Sequence, residues 1–240
     1  MIGWLARSGA DPVIEVTGRL LPIAITRNAR ARRLTMRLSP DGTAVRLTLP
    51  RWCPEAEAIA FVHARSGWLE GQLARVPRAD PPGPSGMVRF RGQTFSIDWN
   101  EGARRKPALR GDVIKLGGPA ETIAPRLQRW LESEALTLMS ADVSHFAARA
   151  GVRAPPLRLS RAQRRWGSLS SSGTVRINWR LIQAPDSVRR SVVAHEITHC
   201  LHFDHSPAFH AALGRIFDDD LAAADAWLTT HGRGLYASFG

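Results

Sequence analysis

The stretch RRSVVAHEITHCLHFDHSPAFH, residues 189–210, decides how the chain is read. Pro185-Asp186 suits the first turn of a helix, and about 100° per residue then places His195 and His199 on one face, one turn apart. Two imidazoles at that spacing can share one zinc ion. On the same wheel Val193, Ile197 and Cys200 point away, so the helix can bury its back and present its histidines to a cleft. The Cys200 thiol is then a packing group and not a ligand. Glu196, between the two histidines, sits beside the metal without needing to bind it and is the expected proton acceptor for a water at the metal.

A catalytic zinc takes a third protein ligand and keeps a position open for water. His205 is six residues beyond His199, too far to reach from an unbroken helix. Ser206-Pro207 reads as an N-cap followed by proline at the first position of a new helix, which leaves His205 in a turn that can swing back to the metal. His202 competes, because it shares the helical face of His195. A rise of 1.5 Å per residue, however, carries it about 10 Å along the axis, beyond the span of one tetrahedral ion. The expected zinc ligands are therefore His195, His199 and His205, with His202 at the periphery or the surface.

Outward from this stretch, the chain alternates between strand and helix patterns. LTMRL and VRLTL, within residues 19–49, alternate apolar and polar residues around Pro40-Asp41-Gly42, as in a hairpin. Ile59, Val62, Leu69 and Leu73 predict a helix from Pro54 to Val76-Pro77, and ADPPGPSG (79–86) a loop. MVRFRGQTFSIDW and DVIKLGG predict short strands joined by the basic connection GARRKPALRG. Residues 121–150 predict one long amphipathic helix ending near Gly151, and LRLS, RRWGSLS and TVRINWRLI predict further strands before the metal helix. TVRINWR is expected to be an edge along which an extended peptide can lie. No repeat with a period of 20 to 50 residues is visible. The expected class is α+β, with a β-rich region carrying one helix over 1–118 and the metal-dependent hydrolase core over 119–240.

The 240 residues suffice for one domain or two intimate ones. No apolar run approaches the ~18 residues of a spanning helix, and Arg7 and Asp11 interrupt the apolar opening of the chain; the expectation is a cytoplasmic protein without membrane contact. Two cysteines, Cys53 and Cys200, imply free thiols and no disulfide framework. Lys plus Arg is 33 against 21 for Asp plus Glu, a net charge of +12, and Lys106 and Lys115 are the only lysines. Such a surplus favours contact with nucleic acid or nucleotides, although it is scattered and also fits a solvated surface.

Three blocks resemble the YgjP-like family of zinc metallopeptidases, which is related to SprT-like and other small zincin domains. They are ARRLTMRLSPDGTAVRLTLP (31–50), RRWGSLSSSGTVRINWRLIQAP (164–185) and VVAHEITHCLHFDHSPAFH (192–210), in an overall likeness from about Arg27 to Tyr236. The resemblance implies a zincin-like core of a long helix, a small antiparallel sheet and the active helix. It also implies zinc at His195, His199 and His205 and Glu196 as acid and base, acting on a peptide or protein. Leu169 stands where the family usually has cysteine, and His210 where it has tryptophan. Metzincins share the histidine spacing, but they carry glycine at the position of His202 and a later methionine turn, and no methionine follows Met139. Two other activities fit the arginine surplus: a metal-dependent phosphohydrolase of nucleotides, and a DNA-associated protein with SprT-like protease activity. Trp166, Trp179 and Phe209 read as core packing or as substrate-stacking aromatics. Arg164, Arg165 and Arg180 can line an anionic path, and His210, His231 and Tyr236 are candidates to stabilise an oxyanion.

Overall fold

In the computed structural model, which describes residues 12–39, 41–76 and 81–239, the chain divides into two units, Met1–Pro77 and Arg78–Gly240. The opening segment before residue 12, Pro40 of the expected turn, Pro77 at the expected helix end and the first residues of the 79–86 loop lie outside the described residues.

In the first unit, β1 (Val13–Val16) and β2 (Arg19–Arg27) form a hairpin about Thr17 and Gly18, with φ of 50° and 74°. Two successive positive φ values give a turn whose twist matches the strands it joins. β3 (Thr35–Leu38) and β4 (Val45–Leu49) pair antiparallel as their alternation predicts, and β4 pairs parallel with β2, giving the order β1-β2-β4-β3. The expected single helix is broken into α1 (Glu55–His63) and α2 (Ser66–Leu73), and the poor helix formers Ser66 and Gly67 stand at the break. Ala58 and Val62 from α1, with Leu69 and Leu73 from α2, close a core over Ile14, Ile23, Leu47 and Cys53.

The second unit repeats that strand arrangement. β5 (Met87–Phe90), β6 (Gln93–Trp99), β7 (Ala108–Arg110) and β8 (Val113–Leu116) follow the order β5-β6-β8-β7 with the same senses, and the first hairpin turns on Arg91 and Gly92 at φ 52° and 80°. β7 falls inside the segment read as a basic connection; three residues are too few for alternation to reveal a strand. The long helix α3 (Ile123–Ala150) follows and ends on Gly151 in the left-handed conformation. β9 (Leu157–Ser160), β10 (Gly167–Leu169) and β11 (Val175–Asn178) form the small sheet, which is mixed: β11 is central, antiparallel to β10 and parallel to β9. α4 (Asp186–Thr198), α5 (Pro207–Ile216) and α6 (Leu221–His231) complete the unit. The shift near residue 118 from strand to helix patterns lies within one core, because Ile114 and Leu116 pack in the same cluster as Leu127, Phe146 and Ile197.

α4 packs against α3, β10, β11, α5 and α6. Charged groups lock its start in place. Arg189, whose side chain is 3% exposed, bonds Asp142 of α3 at 2.7 Å and also bonds Asp186, which in turn takes the Arg91 guanidinium. The backbone N–H of Arg91 donates to the Ile182 carbonyl at 2.8 Å, and a Cβ on Gly92 would meet Pro185 Cα at 3.0 Å. The β5–β6 turn thus fits against the segment that launches α4. No helix among the described residues is long and apolar enough to cross a membrane.

Candidate metal centre

The helix stops where the spacing of the histidines requires it to. α4 runs to Thr198 and caps on His199; the next residues form turns, and α5 begins at Pro207, with the Ser206 hydroxyl accepting from the Phe209 N–H. The reversal brings Nε2 of His205 to 3.1 Å from Nε2 of His195. One donor atom each from His195, His199 and His205 lies within 4.8 Å of the others, and among the described residues this is the group of His, Cys, Asp or Glu donors that can hold a metal ion. Cys200 is not in it, and both cysteines are free.

The donor set fits a divalent metal of intermediate softness. Nδ1 of His199 lies 3.0 Å from the His202 carbonyl oxygen, which can only accept, so Nδ1 carries the proton and Nε2 keeps its lone pair for the cluster. His202 therefore serves through its backbone, and its ring is outside the cluster. Burial, aided by the neighbouring imidazoles, holds His195 down at about 4, which keeps it neutral, the form that ligates. Phe209, fully buried, packs beneath all three rings, with centroid distances of 4.9, 4.7 and 4.9 Å to His195, His199 and His205. It is an apolar floor to the cluster, a role between the two considered for it from sequence.

Glu196 lies on the sheet side of α4 and is 6% exposed. Burial pushes its carboxyl up to about 7, against the opposing pull of a hydrogen bond from the Leu169 backbone and the charge of Arg165. The backbone of Gly167 lies close against it: a Cβ built on Gly167 would fall 2.4 Å from Oε1 and 2.6 Å from Cγ. Gly167 opens β10, and β10 is an edge of the small sheet. The expectation that TVRINWR supplies the edge is thereby corrected; β11 is flanked on both sides, and the edges are β9 and β10, the latter being the strand that touches Glu196. A cleft of about 430 Å³ runs alongside, lined by Trp166, Gly167, His195, Glu196, His210 and Leu213 among others.

Several other candidates fall away from the site. Arg180 is buried, bonded to the Phe239 carbonyl at 3.1 Å and packed over Trp179 and Tyr236. Trp179 is core. Tyr236 donates to the Ala162 carbonyl at 3.1 Å, and His231 stacks on Trp227, which leaves His210 as the one oxyanion candidate lining the cleft. Arg164 and Arg165 are exposed, and Arg165 acts on Glu196 through its charge. Sequence reasoning passed over Gly167; the signal available was a glycine inside a strand pattern, which marks close approach of another group.

A family profile described as YgjP-like, metallopeptidase domain, matches residues 32–231. No curated protein and no solved structure gives a significant match. A match over most of the chain, on a fold that presents three histidines from α4 and the turn after it, places the chain: it belongs to the YgjP-like metallopeptidase domain family.

Proposed function

We propose that this protein is a zinc-dependent peptidase of the HExxH type, in which His195, His199 and His205 hold the metal and Glu196 is the catalytic acid and base. The observation that carries the reading is the convergence of three imidazole donors next to a buried carboxylate on the same helix. Bound there, zinc supplies Lewis-acid polarisation and lowers the pKa of water. Glu196 accepts one proton of the attacking water on its carboxylate. As the water oxygen bonds to the scissile carbonyl carbon and the C–N bond breaks, it returns that proton to the departing amine nitrogen and is left as it began. Gly167 and the Leu169 N–H hold the carboxylate at the strand, restricting it to that position. With the Leu169 N–H taken by Glu196, the remaining outward backbone groups of β10 would bond an extended peptide and carry its scissile bond past Glu196.

The test uses metal-loaded protein, an unstructured protein substrate such as casein, and nucleoside triphosphates in parallel. Cleavage of casein with about one zinc per chain, and its loss in Glu196→Gln with zinc retained, is the expected result. Turnover of the triphosphates without peptide cleavage would overturn the assignment to peptidases, and full activity of Glu196→Gln would remove Glu196 from the chemistry.

A further inference from the structure

The basic segment between β6 and β7 borders two adjoining clefts. The first, about 670 Å³, is lined by Arg104, Lys106, Arg110 and Lys115 over Phe90, Leu109 and Leu116. The second, about 590 Å³, is lined by Arg105, Lys106, Arg126 and Arg129 with Pro119 and Thr122. They share Lys106, Pro107, Trp130 and Glu134. Two of these cations have partners inside the protein: Arg126 is buried and bonds the Pro119 and Thr122 carbonyls, and Lys115 pairs with Asp98 at 3.3 Å. Arg104, Arg105, Lys106, Arg110 and Arg129 are exposed, and none has an ion pair with another described residue. Among the described residues, Glu134 is the only carboxylate on either wall.

Elsewhere in the second unit Arg91, Arg149, Arg161, Arg189 and Arg190 meet carboxylates, and other exposed arginines without an ion pair to a described residue, such as Arg158 and Arg176, line neither cleft, so what sets these five apart is their gathering about concave space. Five cations gathered about concave, apolar-floored space repel one another unless an anion comes from outside. We propose that the two clefts bind single-stranded nucleic acid, with these cations on successive phosphates and unpaired bases against the floor of Pro107, Leu109 and Trp130. Two concave sites in series suit a strand whose bases are free to enter, whereas a duplex hides its bases. An anionic membrane surface fits less well, because such surfaces pair basic residues with exposed apolar side chains that insert, and none of the large exposed hydrophobics lines either cleft.

The test is fluorescence anisotropy with labelled oligo(dT), long enough for a site of about 4–16 nucleotides, titrated at several salt concentrations. Each phosphate contact contributes about −0.7 to the slope of log K against log salt, so five contacts predict a slope of about −3 to −4. Arg104→Glu with Arg129→Glu, one change in each cleft, is expected to weaken binding by tenfold or more, about a log unit, and to flatten the slope by about 1.4. Arg158→Glu with Arg176→Glu, exposed neighbours on β9 and β11, makes the same change in net charge and is expected to stay within about twofold of wild type. Thermal melting confirms that both variants are folded. Equal losses in the two variants would reduce the effect to net charge and overturn the site. So would duplex DNA bound as tightly as the single strand, or binding to phosphatidylserine vesicles without binding to oligo(dT).

Discussion

The Cβ that Gly167 lacks would lie 2.4 Å from Oε1 of Glu196, inside any permissible contact. A strand and α4 therefore meet where an added methyl would collide with the Glu196 side chain. Gly167→Ala must displace the carboxylate or the edge strand. Because Glu196 is not one of the three converging donors, the expected outcome is retained metal with peptide hydrolysis reduced about a hundredfold, the scale on which a misplacement of about 1 Å acts. Metal analysis and turnover on one preparation check this; wild-type turnover would mean the contact is irrelevant.

His202 and His205 make opposite predictions although three residues separate them. His202 holds His199 through a carbonyl that every residue has, so His202→Ala is expected to keep metal affinity near that of the parent. His205→Ala removes a donor and is expected to cost more than the roughly 10- to 100-fold that loss of an outer partner costs. Chelator competition measures both, and equal losses would contradict the arrangement.

Asp142→Ala leaves the Arg189 guanidinium, 3% exposed, with Asp186 as its remaining close carboxylate. Stranding a buried charge is expensive, and a loss of about 3 kcal/mol in urea denaturation is expected, the lower end for a broken buried pair because one partner persists. Asp142→Leu combined with Arg189→Met should recover much of it. A loss below about 1 kcal/mol would equate the pair with a surface salt bridge.

Burial raises the Asp186 carboxyl, but the hydrogen bonds and charges of Arg91 and Arg189 outweigh it, so the folded value lies below the ordinary one. The unfolded chain then binds more protons in that window. The stabilisation is complete above the unfolded value of about 3.9 and is lost as pH falls through the folded value. Arg91→Gln should be less stable than wild type at neutral pH, with the gap narrowing as pH drops below about 3.9. Urea denaturation across that range reads it out, and a gap that stays constant into acid would exclude Asp186 as its source.

What sequence revealed about the site was what local spacing controls. His195 and His199 follow from helical periodicity, and His205 from the Ser206-Pro207 start of α5, because caps and proline act within a turn or two. The long helix over 123–150 was legible for the same reason. Contacts that join distant segments were not. The approach of Gly167 to Glu196, the placement of β10 at the edge and the floor formed by Phe209 depend on tertiary packing that no window of the sequence contains. Arg180, on a strand-like stretch beside Trp179, read as a candidate to line an anionic path, because charged residues usually stay exposed, and its burial among Trp179, Tyr236 and Phe239 becomes visible only in three dimensions.

The paired hairpins, alike in backbone, differ in how freely their sequences can drift. Around Gly18 nothing lies within 4 Å of an added Cβ, so asparagine or aspartate, which accept the left-handed backbone, can replace it at small cost. Gly92 has no such latitude, because Pro185 stands 3.0 Å from where its side chain would begin. In a saturation mutagenesis library selected for folded protein, position 18 should therefore accumulate substitutions while position 92 stays monomorphic, two turns of one geometry under unequal selection.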